Sequence, residues 1–99
     1  MRLSSEHIQG IRHIAQRLAG DQARVWVFGS RLDDSARGGD LDLMLEVPEP
    51  VANPALLAAQ FSAQVTRLLE GRKVDVVLAA PNLRRLPIHD LVFQEGEVL

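Results

Sequence analysis

The sequence predicts an α/β fold, a small mixed β-sheet with helices packed mainly on one face. A run of β-branched and aromatic residues at 24–28 ends at a glycine, which is typical of a buried strand. Residues 40–47 form a second apolar run that carries two carboxylates at i and i+2, and 73–79 form a third, mainly apolar run of strand length. Apolar residues spaced by three and four over 5–20 and 54–70 indicate two amphipathic helices that cover the sheet.

The starts of the two long helices are marked by capping residues. Ser4 or Ser5 is expected to cap the first helix, because a hydroxyl can accept a hydrogen bond from a free N–H in the first turn. Asn53 is expected to cap the second helix, with Pro54 at its first position. Gly71 closes the second helix, since glycine adopts the left-handed conformation that commonly follows a helix.

The C-terminal segment is predicted to form a third helix that begins at Pro87, followed by a short strand over 98–99. We expect its inward-facing residues to be Ile88, Leu91 and Val92. His89 lies in the same helix. It could act as an acid or a base, but a position at the surface or in support behind a site is favoured.

Size and composition indicate a single small domain without disulfides, a membrane helix or a signal peptide. At 99 residues with a net charge of −2, the chain is expected to form a single domain over 1–99. It contains no cysteine, which excludes disulfides and thiolate metal sites. No run approaches the roughly 18 apolar residues of a membrane helix, and the N-terminus lacks a signal-peptide pattern. We therefore expect a cytoplasmic protein without a membrane partner, and the slightly acidic balance argues against a nucleic-acid substrate.

Carboxylates in two of the predicted strands are candidate metal ligands. Asp40 and Asp42 stand at i and i+2 of one strand and therefore on the same face, while the alternate leucines point into a core. Two neighbouring carboxylates repel each other unless a cation lies between them, and Mg²⁺ prefers oxygen ligands. Asp75 is a lone charge in the third strand. It could face water at a sheet edge, but the Asp40/Asp42 pair favours convergence on a shared metal site. Glu46 lies too far along its strand to take part.

Gly29 and Ser30 follow the first strand directly, at the predicted start of a short helix. Ser30 could simply cap that helix. The same arrangement of free N–H groups, a hydroxyl and a glycine without a side chain can bind a phosphate group. Arg31 follows and is either a solvated loop residue or a contact for triphosphate oxygens.

A glycine–serine pair, a loop of nine residues and an Asp-x-Asp strand resemble the signature of the nucleotidyltransferase superfamily that includes DNA polymerase beta. The segments at 73–78 and 93–99 are similar to the family's third strand and its usual ending. Within the superfamily the chain resembles the minimal nucleotidyltransferase (MNT) domains, many of which are antitoxins paired with HEPN-domain toxins. This resemblance implies a nucleotidyltransferase-like mixed β-sheet. With the helices 5–20 and 54–70 on one side of the sheet, we expect the face with the metal site to be left open.

The resemblance also implies an activity. It is a Mg²⁺-dependent transfer of AMP from ATP to a hydroxyl of a partner protein, by an antitoxin that modifies a HEPN-type toxin. Two magnesium ions would be held by Asp40, Asp42 and Asp75, which would be the catalytic residues, while Gly29, Ser30 and Arg31 would bind the nucleotide. One alternative is a catalytically weak module that neutralises a toxin by occlusion. Another is transfer to a small molecule by a homo-oligomer that completes its own site.

Overall fold

The computed structural model describes residues 3–29 and 41–99. Within these ranges the chain forms three helices and four strands, in the order α1 (Ser5–Ala19), β1 (Arg24–Phe28), β2 (Leu41–Glu46), α2 (Pro54–Leu68), β3 (Val74–Ala79), α3 (Pro87–Glu95) and β4 (Glu97–Val98). The strands form one sheet in the order β3-β2-β1-β4. β2 and β3 are parallel, whereas β1 is antiparallel to both β2 and β4. The mixed α/β sheet predicted from the sequence is confirmed.

The main core lies between the sheet and the helices α1 and α2. The apolar residues of β2 that alternate with its acidic ones are fully buried there, as predicted, and the same cluster includes residues from both helices and from β1. The residues that form its centre are Ile11, Ala15, Val25, Leu41, Leu43, Leu45, Phe61 and Val65. Because side chains alternate along a strand, burying this leucine face directs Asp42 to the opposite side of the sheet.

The two long helices begin where the sequence predicted. Ser4, not Ser5, caps α1, because its hydroxyl oxygen accepts a hydrogen bond from the N–H of His7 at 3.0 Å. The Asn53 side chain accepts the N–H of Leu56 at 3.1 Å at the start of α2. Each cap satisfies one of the free N–H groups that a helix start leaves unpaired. None of the helices in the described residues has the length and apolar character needed to cross a membrane.

The second face of the sheet carries α3, so this face, which we expected to be left open, is partly covered. Trp26 of β1 packs edge-on against Phe93 of α3, with ring centroids 5.2 Å apart. Met44, next to Trp26 in the sheet register, is completely buried. The helix therefore covers the middle of this face.

His89 is part of the contact between α3 and the sheet. Of the two positions expected for it, at the surface or in support behind a site, the surface position was therefore wrong. The residue is only 4% exposed. Nδ1 accepts the N–H of Leu86 at 2.9 Å, and Nε2 lies 2.9 Å from the carbonyl oxygen of Leu78 in β3. Since Nδ1 is an acceptor, Nε2 carries the proton and donates it. Leu91 was expected to face inward but is 46% exposed, because the buried face of α3 is formed by His89 and Val92.

Candidate active site

Two of the predicted site carboxylates lie next to each other on the second face of the sheet. Asp42 of β2 and Asp75 of β3 are direct register partners in the parallel pair. Side chains at paired positions point to the same face, and adjacent strands are about 4.8 Å apart. Asp42 is half-buried, whereas Asp75 is exposed. The structure thus brings together two acidic residues from distant parts of the chain, and their catalytic and metal-binding roles remain predictions.

Gly29 lies against the Asp42 carboxylate. β1 ends at Phe28, the register partner of Asp42, and the next residue turns with φ +72°. This left-handed backbone conformation is unfavourable for residues that have a Cβ. A Cβ placed on Gly29 would lie only 2.5 Å from Oδ2 of Asp42. The absence of a side chain at this position therefore lets the carboxylate approach the backbone at the end of β1.

The remaining predicted site residues, Ser30, Arg31 and Asp40, lie outside the described residues. Over 3–29 and 41–99, no group of three or more histidine, aspartate or glutamate side chains is placed to hold a metal ion. Asp42 and Asp75 therefore represent two members of the predicted carboxylate set, and the third is the undescribed Asp40.

The carboxylate of Asp75 makes no hydrogen bond or ion pair within the part of the chain that the structure describes. It is therefore available to bind a cation or to accept a proton from solvent or from a substrate. Glu46, on the same sheet face, differs: its Oε1 accepts a hydrogen bond from Trp26 Nε1 at 3.0 Å. This contact agrees with the prediction that Glu46 lies outside the site.

This arrangement fits a divalent cation. Two carboxylates in register on neighbouring strands would repel each other without a positive charge between or beside them. Both offer oxygen ligands of the kind that Mg²⁺ prefers, and they are register partners on one face of the sheet. Asp42 and Asp75 are accordingly the described residues that would hold such an ion.

Comparison with protein-family models gives a match to a nucleotidyltransferase domain over residues 8–96. The matched range includes the glycine at the end of β1, the loop after it, and the strands that carry both carboxylates. A search of curated proteins finds no significant match.

Proposed function

The chain belongs to the nucleotidyltransferase domain family, and from this membership we propose that it transfers AMP from ATP to a hydroxyl of a partner protein. Domains of this family generally use a nucleoside triphosphate and a divalent metal ion. The observation that carries the proposal is the register pairing of Asp42 with Asp75 beside Gly29. The proposed nucleotide, ATP, and the proposed acceptor, a HEPN-type toxin that the chain modifies as an antitoxin, rest on the resemblance to MNT domains.

In the proposed reaction the oxygen of the acceptor hydroxyl attacks the α-phosphorus of ATP. A new oxygen–phosphorus bond forms while the bond from the α-phosphorus to the bridging oxygen breaks, and pyrophosphate leaves with that electron pair. The hydroxyl proton passes to the carboxylate of Asp75. Asp75 suits this role because it is exposed and has no protein partner among the described residues.

The other site residues bind and orient the nucleotide in this proposal. Gly29 and Ser30 would orient the β- and γ-phosphates after the end of β1, and Arg31 would contact triphosphate oxygens. Asp40, Asp42 and Asp75 would together hold two magnesium ions. When bound, these ions would stabilise the charge on the attacking and leaving oxygens.

The test is an intact-mass measurement on the toxin after incubation with this chain, ATP and magnesium. We expect the toxin to gain the mass of one or more AMP groups with the wild type. Asp42→Asn and Asp75→Asn keep the size of each side chain but remove its charge, and each should lower the rate by about 100-fold or more. Asp21→Asn is the matched control, because Asp21 is exposed in the turn after α1 and should leave the rate unchanged.

The outcomes distinguish the three functions. No mass increase with the wild type, or an increase that survives Asp42→Asn, would contradict the proposal. If the Asp42→Asn variant still neutralises the toxin fully in cells, the chain acts as a binding module that works by occlusion. AMP transfer to small hydroxyl compounds without any partner protein would instead identify a small-molecule transferase.

A further inference from the structure

The strand that carries Asp75 lies at the edge of the sheet, and the register shows which of its backbone groups face outward. Leu41 N–H donates to Lys73 C=O, and Val47 N–H donates to Ala79 C=O. Because strand bonds alternate, the odd-numbered residues of β3 pair with β2. The even-numbered ones, Val74, Val76 and Leu78, direct their N–H and C=O groups away from the sheet.

Side chains already occupy two of these outward carbonyls. The Ser62 hydroxyl, from α2, donates to Val74 C=O at 3.0 Å. The Nε2–H of His89, from α3, donates to Leu78 C=O at 2.9 Å. These contacts make strand pairing less favourable at both ends of the edge, since a paired strand would have to share the same carbonyl oxygens with them.

Val76 is therefore the one residue of β3 whose outward N–H and outward C=O both lack a partner among the described residues. An extended polypeptide presents a complementary donor and acceptor on a single residue, and in antiparallel pairing two residues exchange both bonds. Val76 can thus pair with a single residue of a short extended protein segment, and this pair sets the register of the segment against β3.

We infer that the acceptor protein binds as an extended segment that pairs antiparallel with β3 at Val76, which places its hydroxyl residue opposite Asp75. This inference rests on the proposed function and specifies how the acceptor is presented. The residue that follows the partner of Val76 lies opposite Asp75 and points to the same sheet face. Such a pair without mutual hydrogen bonds has its Cα atoms about 4.5 Å apart, so the hydroxyl side chain lies beside the carboxylate. Phe28, Asp42 and Asp75 are register partners across β1, β2 and β3. The hydroxyl residue of the acceptor would be the next register partner after Asp75.

The first experiment compares two proline variants. Val76→Pro removes the outward N–H and should lower both the binding of the HEPN-type toxin and its modification at least 10-fold. Val98→Pro is the matched control, because Leu99 N–H bonds Val25 C=O and the N–H of Val98 therefore points outward at the opposite edge. Circular dichroism and ATP binding should be unchanged in both variants. If Val76→Pro binds and modifies the toxin as well as Val98→Pro does, the inference is wrong.

A second experiment tests the register without proline. The chain contains no cysteine, so Val77→Cys introduces a unique thiol on the same face as Asp75. In the inferred register it lies opposite the toxin residue two positions before the modified one, at a distance that suits a disulfide. A cysteine at that toxin position should crosslink, and one two positions after the modified residue should not. Equal crosslinking at both positions, or none at either, would overturn the inference.

Failure of the docking inference and failure of the proposed function give different results. Absence of AMP transfer by the wild type contradicts the function. Toxin binding by the Asp42→Asn variant, weakened at least 10-fold by Val76→Pro, would still support docking at this edge. AMP transfer that Val76→Pro leaves intact contradicts the docking alone. A homodimer of this chain that Val76→Pro dissociates would show that a second copy occupies the edge, which also overturns the inference.

Discussion

Replacing Gly29 by alanine tests whether the glycine keeps the Asp42 carboxylate in place. The substitution has two separable effects. Alanine at φ +72° is strained, which costs about 1–2 kcal/mol of folding free energy. The added Cβ would also lie 2.5 Å from Oδ2 of Asp42, whereas ordinary contact begins at 3.4 Å. The carboxylate must therefore move by about 0.9 Å, or the backbone must move instead.

The displacement should affect activity far more than stability. A misplacement of about 1 Å in a catalytic group can reduce the rate by about 100-fold. That reduction corresponds to about 2.7 kcal/mol in the activation free energy. We therefore expect Gly29→Ala to lose about 99% of the transfer rate while the domain remains folded.

Gly71→Ala is the matched control. Gly71 also has a positive φ, +95°, but a Cβ there would meet no atom within 4 Å. Both variants carry backbone strain, so both should lower the melting temperature, by roughly 4–8 °C for each kcal/mol lost. Initial rates of the proposed AMP transfer, measured with the same preparation of the proposed toxin acceptor, should fall only for Gly29→Ala.

The reasoning would be refuted if Gly29→Ala retained as much activity as Gly71→Ala. A second measurement tests the role of Asp42 in the clash. In an Asp42→Ala background the carboxylate is absent. Gly29→Ala should then lower the unfolding free energy only by the amount due to backbone strain. An unfolding free energy that shows no coupling between the two substitutions would mean that the backbone, not the carboxylate, accommodates the new methyl group.

Three further substitutions test the packing that surrounds the site, each by urea unfolding. Gly96→Ala should lower the unfolding free energy by about 1–3 kcal/mol, because a Cβ would lie 2.7 and 3.1 Å from two backbone carbonyl oxygens; a loss near zero would contradict this contact. His89→Phe should lower it by about 2 kcal/mol or more, since the two backbone groups that the ring bridges lose their partner. The exposed His13→Phe serves as its control and should change little. Asn82→Ala should cost about 1 kcal/mol, because the amide bonds both the N–H and the C=O of Val51 at 2.9 Å; an unchanged midpoint would show that these exposed bonds add nothing.

The sequence predicted which face of the sheet each side chain of β2 lies on, but it did not predict the order and register of the strands. Alternation assigned Asp42 and the leucines of β2 to opposite faces, because a strand has a fixed period of two. The pairing of Asp42 with Asp75 depends on strand order and register. Neither follows from the residues of one strand, since register is set by how whole faces pack.

His89 shows a second reason why sequence patterns are incomplete. Hydrophobicity favours Leu91 over a histidine for the core, but the histidine can join two backbone groups that α3 and β3 leave unpaired. Those groups become visible only when the two elements are placed side by side. For Ser30, Arg31 and Asp40, which lie outside the described residues, the sequence prediction stands untested.

The parallel arrangement of β2 and β3 affects when the site can form during synthesis. Parallel neighbours need a crossover, here provided by α2, so Asp75 leaves the ribosome only after the whole of that helix. A nascent chain that has emerged only as far as α2 carries Asp42 but no opposing carboxylate. It could bind neither substrate nor ion in the proposed way until β3 has been synthesised.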